Sequence, residues 1–183
     1  MEFIDLARQM NRVRSSIDAG VAKVLSHGMF IMGPEVAELE ARLAKFVGVK
    51  HCVSCANGTD ALHMALMALG VGPGDAVFVP TFTFIATAEV VSLLGAVPIF
   101  VDVDARTFNL DCSSFEEAIL RVNKAGTLTP KAIVPVDLFG LPADYQRIEA
   151  IAERYNLLIL EDAAQSLGSA SQEKKAGSFG HIA

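Results

Sequence analysis

The sequence predicts an α/β fold: a mainly parallel central sheet flanked by helices. Three observations predict it. Short apolar, β-branched runs recur along the chain, as in AVFV at Ala76–Val79, PIFV within Pro98–Val103 and LLIL at Leu157–Leu160. Longer segments with apolar residues at three- and four-residue spacing separate those runs, so strand and helix alternate. The strands are apolar on both sides of the pleat, as strands are when helices cover both faces of a parallel sheet.

The elements follow in order. Ile17–Leu25 and Pro34–Phe46 read as amphipathic helices joined by the glycine-containing turn HGMFIMG; Val36, Leu39, Leu43 and Phe46 mark the apolar stripe of the second. Pro34 suits a first helical turn, where its missing N–H costs nothing. Asn57–Leu69 is the next helix, ending at Gly70 before the turn cluster GVGPGD. Ala76–Val79 is a strand, Ile85–Leu94 a helix and Pro98–Val103 a strand. Ser114–Val122 is a helix capped by Ser113 or Ser114, with Glu116 and Glu117 in its first turn. Asn123–Pro130 reads as a surface loop, Ile133–Val136 as a strand, Asp144–Tyr155 as a helix and Leu157–Leu160 as a strand. The tail after Ser169, SQEKKAGSFGHIA, is polar and offers no packing element, which predicts a truncated sheet.

Composition narrows the function. A chain of 183 residues, 52% hydrophobic, buries a real core and is not a disordered segment. Asp75, Glu89 and Asp102 interrupt every tract that approaches a membrane-spanning length, and the opening MEFIDLARQMNRVR has no apolar leader core. A cytoplasmic protein without membrane partners is therefore expected. The net charge of −6 and the lone basic pair Lys174-Lys175 argue against a nucleic-acid partner. Cys52 and Cys55 form C-x-x-C beside His51, but no second ligand pair follows at zinc spacing, so no metal is expected. Small buried cysteines beside a strand end are the reading adopted.

Chemistry in an open parallel sheet sits beyond the carboxyl ends of its strands. Four features fall there. In NGTDA, Gly58 and Thr59 open a helix, where free N–H groups, a hydroxyl and the dipole suit a phosphate; an ordinary cap made by Asn57 or Thr59 is the competing account. Asp162 follows LLIL and can pair with a protonated ring nitrogen, or else cap the next turn. Its neighbour Glu161 points to the opposite face and calls for its own partner, such as a salt bridge. Gln165 can hydrogen-bond a ring oxygen. Phe84 is the preferred ring to stack on a planar cofactor, whereas Phe82 is assigned to core packing.

Taken together, FIDLARQ from Phe3, HGMFIMGPEVAELE, SCANGTDAL, GVGPGDAVFVP, TFTFIATAEVV, GAVPIFVDVD and EDAAQSLGS resemble, in order and spacing, the DegT/DnrJ/EryC1/StrS family of pyridoxal-phosphate sugar aminotransferases. The resemblance implies the large domain of a fold-type-I pyridoxal-phosphate-dependent transferase. It implies residues 1–35 as an N-terminal helical segment with an active-site loop, and 36–183 as an incomplete cofactor-binding large domain lacking the small C-terminal domain. On it, Gly58 and Thr59 receive the phosphate of pyridoxal 5'-phosphate, Phe84 covers the ring, Asp162 contacts the pyridine nitrogen and Gln165 the ring hydroxyl. Phe30 would lie near the substrate mouth, across a homodimer interface. The implied reaction moves an amino group from an amino acid, expected to be glutamate, to a nucleotide-linked ketosugar, with a UDP-acetamido-3-ketosugar acid of envelope polysaccharide biosynthesis as the favoured substrate. The Schiff-base lysine of the family falls beyond Ala183; neither Lys174, Lys175 nor His181 occupies its position. Two alternatives stay open at this stage: a sugar dehydratase of the same family with histidine in place of the lysine, and a non-catalytic regulatory or binding member. A dinucleotide-binding domain is disfavoured because no G-x-G-x-x-G follows the first strand.

Overall fold

The computed structural model describes residues 4–183; Phe3, which opens the FIDLARQ stretch, lies outside the described residues. The chain divides into two compact units, Met1–Leu43 and Ala44–Ala183. In the first, α1 (Leu6–His27) starts eleven residues earlier than its apolar stripe at Ile17 suggests, because Asp5 caps it by accepting the Arg8 N–H at 2.8 Å. It ends at Gly28, whose φ of 69° is the left-handed conformation that closes helices. α2 runs from Pro34 to Val47.

The second unit carries the sheet. Its elements are α3 (Gly58–Ala68), β1 (Asp75–Pro80), α4 (Ala86–Leu93), β2 (Val97–Val101), α5 (Cys112–Ala125), β3 (Thr129–Ile133), a 3₁₀ turn at Leu138–Gly140, α6 (Tyr145–Tyr155) and β4 (Leu158–Ile159). Strand order is β2-β1-β3-β4, every pair parallel. Side-chain alternation splits the core into two layers. Ala76, Phe78, Ile133 and Ile159 face Phe115, Ile119, Ile148 and Ile151 of α5 and α6. Val77, Val79, Ala132, Val134 and Leu160 face Leu66, Val90 and Val91 of α3 and α4. Both faces are covered, as the apolar strands require.

Three boundaries move for identifiable reasons. α5 begins at Cys112 because Asp111, not Ser113 or Ser114, is the cap, accepting the Ser114 N–H at 2.7 Å; its first turn then holds no acid. α5 runs on to Ala125 and β3 begins at Thr129, so most of the expected Asn123–Pro130 loop is regular structure. Pro130 is tolerated in β3 where the β1–β3 register shifts, between Ala76 and Val77.

The tail departs most. After β5 (Ala170–Ser171) and β6 (Lys174–Lys175) form a small antiparallel hairpin, Ala176 and Phe179 are buried in the α5/α6 layer. Phe179 stacks on Tyr145 with ring centroids 4.3 Å apart and planes 7° from parallel. Ile182 then bridges Leu160 in parallel, extending the sheet beyond β4. A polar composition hid one aromatic anchor and one strand contact. The basic pair is held as well: the Lys175 ammonium lies 4.1 Å from the Phe46 ring centroid, while Lys174 reaches Glu149 at 3.6 Å.

Candidate active site

The parity of β4 decides where its terminal acids go. Residues after Ile159 alternate, so Glu161 faces the α5/α6 layer and Asp162 the α3/α4 layer. Asp162 is 8% exposed, and its backbone N–H donates to Pro135 O at 2.9 Å. Its Oδ2 accepts the hydroxyl of buried Thr87 from α4 at 2.9 Å; its Oδ1 accepts the Ala164 N–H at 3.3 Å. Burial raises the Asp162 pKa, the two donors pull it back down, and nearby Asp137 pushes it up again. Among the described residues no lysine, arginine or histidine forms an ion pair with it. A buried carboxylate with donors but no cation suits a positively charged ligand atom.

α3 packs against α4, its Leu62, Ala65 and Leu66 share a core layer with Val77 and Val79, and the short turn at 69–74 sends β1 back beneath it, which brings the N-terminus of α3 toward the end of that strand. Asn57 caps α3: Oδ1 accepts the Asp60 N–H at 2.9 Å and Nδ2 donates to Asp60 Oδ2 at 2.9 Å. That bond uses the third N–H of the helix and leaves those of Gly58 and Thr59 without a protein acceptor among the described residues. The capping and anion-binding accounts of NGTDA are thus compatible.

Phe84, in the loop entering α4, is 73% exposed; Phe82 is half-exposed and lies against Phe108 at 5.7 Å, so it is not the core residue expected. Gln165 is exposed, and its Oε1 accepts the Phe139 N–H at 2.7 Å. That donor orients the amide, leaving the NH₂ end to donate outward. Phe139 sits at φ 56°, a conformation uncommon for a bulky side chain and here held by the Gln165 bond.

Phe30 belongs to the first unit, where it is 68% exposed and borders an apolar depression with Ile17, Val21, Val24 and Leu25 of α1. Its loop is set by His27, whose Nδ1 accepts the Met29 N–H at 3.0 Å, so Nε2 carries the proton facing Glu35. Lys23, 2.9 Å from Glu35, holds that carboxyl down at about 2.

The cysteines are not the buried pair anticipated. Cys55 is exposed, Cys52 half-buried, and neither is in a disulfide. No group of His, Cys, Asp or Glu among the described residues could hold a metal. No helix among them is long and apolar enough to cross a membrane.

Sequence reasoning missed Thr87 and Asp137. Thr87 lies 75 residues from the acid it serves, inside a helix that reads as ordinary. Asp137 is wholly buried, accepting the Ala143 N–H at 3.0 Å, the Tyr145 hydroxyl at 2.9 Å and the Ser166 hydroxyl at 3.0 Å. The only signal for it was an acid directly after the apolar run Ile133–Val136.

A parallel sheet covered on both faces, with an acid, an amide, an aromatic and a helix N-terminus at its carboxyl edge, defines the large domain of a fold-type-I pyridoxal-phosphate transferase. The chain belongs to the DegT/DnrJ/EryC1/StrS aminotransferase family, a model of which matches residues 11–183. It is 54% identical over 183 residues to the UDP-2-acetamido-2-deoxy-3-oxo-D-glucuronate aminotransferase of Pseudomonas aeruginosa, covering all of this chain and 49% of that protein. The crystal structure of a DegT DnrJ EryC1 StrS aminotransferase from Brucella abortus superposes with a TM-score of 0.97 at 56% identity, over 99% of this chain and 48% of that one. The NtdA structure from Bacillus subtilis, with bound cofactor PMP, superposes with a TM-score of 0.85 at 36% identity, over 97% of this chain and 39% of that one. The chain spans about half the length of the curated relatives it matches.

Proposed function

We propose that this chain is the cofactor-binding part of a pyridoxal-phosphate-dependent aminotransferase that transfers an amino group, from glutamate, to a nucleotide-linked ketosugar. The observation that carries the reading is Asp162: a buried carboxylate held by Thr87 and Ala164, with no cation among the described residues to neutralise it. A protonated pyridine nitrogen supplies that missing charge and reverses the cost of burial. Gly58 and Thr59 offer N–H groups to the phosphate, Phe84 a flat face to the ring, and Gln165 an NH₂ to the ring oxygen. The bound group supplies an electron sink for the carbon that loses a proton. Asp162 keeps the ring nitrogen protonated, Thr87 keeps Asp162 ionised, and Gln165 orients the ring while steadying the Phe139 turn.

The substrate assignment, a UDP-linked acetamido-3-ketosugar acid, is supported by 54% identity to a relative named for such a substrate. A homodimer is supported within the first unit: α1 buries none of its residues, yet Leu6, Met10, Val13, Ile17, Val21 and Leu25 line one face of it. Phe30 borders the same apolar surface and is assigned to the substrate side of the assembled site.

The test uses the complete polypeptide encoded by the gene, purified with pyridoxal 5'-phosphate. Absorbance of a lysine-bound cofactor that is bleached by glutamate and restored by the ketosugar acid is the expected result. Cofactor binding with sugar dehydration and no amino transfer would move the protein to the dehydratase branch. Neither cofactor binding nor transfer would overturn the reading.

A further inference from the structure

We propose that Glu161 is a positioning residue, a latch that fastens the Gly177–Ile182 segment across the end of β4 and thereby sets the strand end that carries Asp162. Glu161 is 1% exposed, and a glutamate that deeply buried needs partners for both oxygens. It finds them in one stretch of backbone: Oε1 accepts the Gly177 N–H, and Oε2 accepts the Phe179 N–H at 2.7 Å. The Glu161 backbone N–H donates to Ile182 O at 2.8 Å. One residue thus makes three hydrogen bonds to one six-residue segment. No salt bridge among the described residues involves it, so its expected partner is replaced by backbone amides.

The rest of the segment is built around the same contact. Ile159 O accepts the His181 N–H at 2.9 Å, and the Ile159 N–H donates to His181 Nδ1 at 3.0 Å, which gives His181 a structural task. Phe179 is pinned by its stacking on Tyr145. Tyr145 in turn donates to Asp137, whose backbone N–H donates to Asp162 O at 3.1 Å. Glu161 therefore joins the tail to the same strand ends that place Asp162.

The ionisable groups around Glu161 are Asp137 beyond β3, Tyr145 on α6, Asp162 beside it on the opposite face and His181 on the segment it holds. Burial pushes the Glu161 carboxyl up to about 7; the two amides oppose this, and Asp137 adds to it. A folded-state value above the unfolded one means that the closed latch holds an extra proton. Its closure is then favoured at low pH and weakens as pH rises through about 7.

Hydrogen exchange at the Gly177 and Phe179 amides tests the latch without any cofactor. Only the role given to Asp162 rests on the aminotransferase reading, so the two can fail separately. In the complete polypeptide, Glu161→Leu should speed exchange at these amides about tenfold to a hundredfold over wild type, with β1 and β3 unchanged. Glu161→Gln, which keeps one acceptor and is always neutral, should show an intermediate increase. Wild-type protection should fall as pH rises from about 4.5 to about 7 and stay level above that, and the Gln variant should be flat throughout. If the Leu variant does not fold, the Gln variant decides. Wild-type exchange at both amides in whichever variant folds overturns the latch, as does a wild-type protection profile with no pH dependence.

Discussion

Replacing Thr87 by valine isolates what holds Asp162 ionised. The two side chains are nearly the same size and Thr87 is wholly buried, so the substitution opens little space and removes chiefly a hydroxyl. That hydroxyl donates to Asp162 Oδ2 at 2.9 Å; the only other donor to this carboxyl among the described residues is the Ala164 N–H, at a longer 3.3 Å. A hydrogen bond to a charged group is worth about 1.5–3 kcal/mol. Losing it should raise the Asp162 pKa further, beyond its already elevated position. The sign follows from the role: only ionised Asp162 pairs with a protonated ring nitrogen, so cofactor affinity is lost as pH falls through the folded pKa. Thr87→Val should therefore weaken binding of pyridoxal 5'-phosphate about tenfold to a hundredfold near neutral pH, and binding should recover as pH is raised. Titrating the cofactor by absorbance from pH about 5.5 to about 9 reads both effects. Affinities within about twofold of wild type at every pH would refute the reasoning, because the hydroxyl would then contribute nothing to the charge state of Asp162.

Gln165→Glu keeps an acceptor for the Phe139 N–H but cannot donate; it should leave the melting temperature unchanged and weaken cofactor binding by about tenfold. An equal loss of stability would mean that the amide NH₂ serves the fold instead. Gly180→Ala places a Cβ 2.7 Å from Ile159 Cγ2 and 2.9 Å from its carbonyl oxygen, at a φ of +78°. Left-handed strain and overpacking together should cost about 2–5 kcal/mol, a fall of roughly 5–15 °C in thermal denaturation. No measurable fall would show that the tail is not packed against β4. Val13→Lys with Ile17→Lys puts charge into the apolar stripe of α1, and sedimentation should show the proposed homodimer shifting to monomer. An unchanged assembly would place the interface elsewhere.

The fold was legible because its strands are apolar on both faces: AVFV and LLIL could only be covered from two sides, and the two core layers divide their side chains accordingly. Helix ends were legible where the cap was local, as at Asn57 and Asp144, and misplaced where several capping side chains lie close together, as Asp111, Ser113 and Ser114 do. Within the site, Asp162 stood out because an acid ends an apolar run. Thr87 did not, since its partner is 75 residues away and no short-range pattern encodes that distance. The tail was misjudged for a related reason. Its order depends on single residues, Ala176 and Phe179 buried in the α5/α6 layer and Ile182 bridged to Leu160, whereas composition averages them with their polar neighbours.

The adjacent acids Glu161 and Asp162 show how one strand end performs two tasks. The pleat sends them to opposite faces, and each is buried without an ion-pair partner among the described residues. On the α5/α6 side, backbone amides already occupy both Glu161 oxygens, so that carboxyl is spent on holding the chain in place. On the α3/α4 side, Asp162 also receives two donors among the described residues, one of them at a longer 3.3 Å, and it lies on the face that carries the exposed Phe84 loop and the open N-terminus of α3. On the proposed reading, the face each acid is sent to, and not the number of its donors, makes the first structural and reserves the second for a ligand. Exchanging the two residues should abolish both roles at once: an aspartate at 161 is too short to reach two amides, and a glutamate at 162 overshoots the Thr87 hydroxyl. The swapped chain should lose protection at Gly177 and Phe179 together with cofactor affinity. Retention of either would show that the side chain at that position is interchangeable and that parity alone does not assign its task.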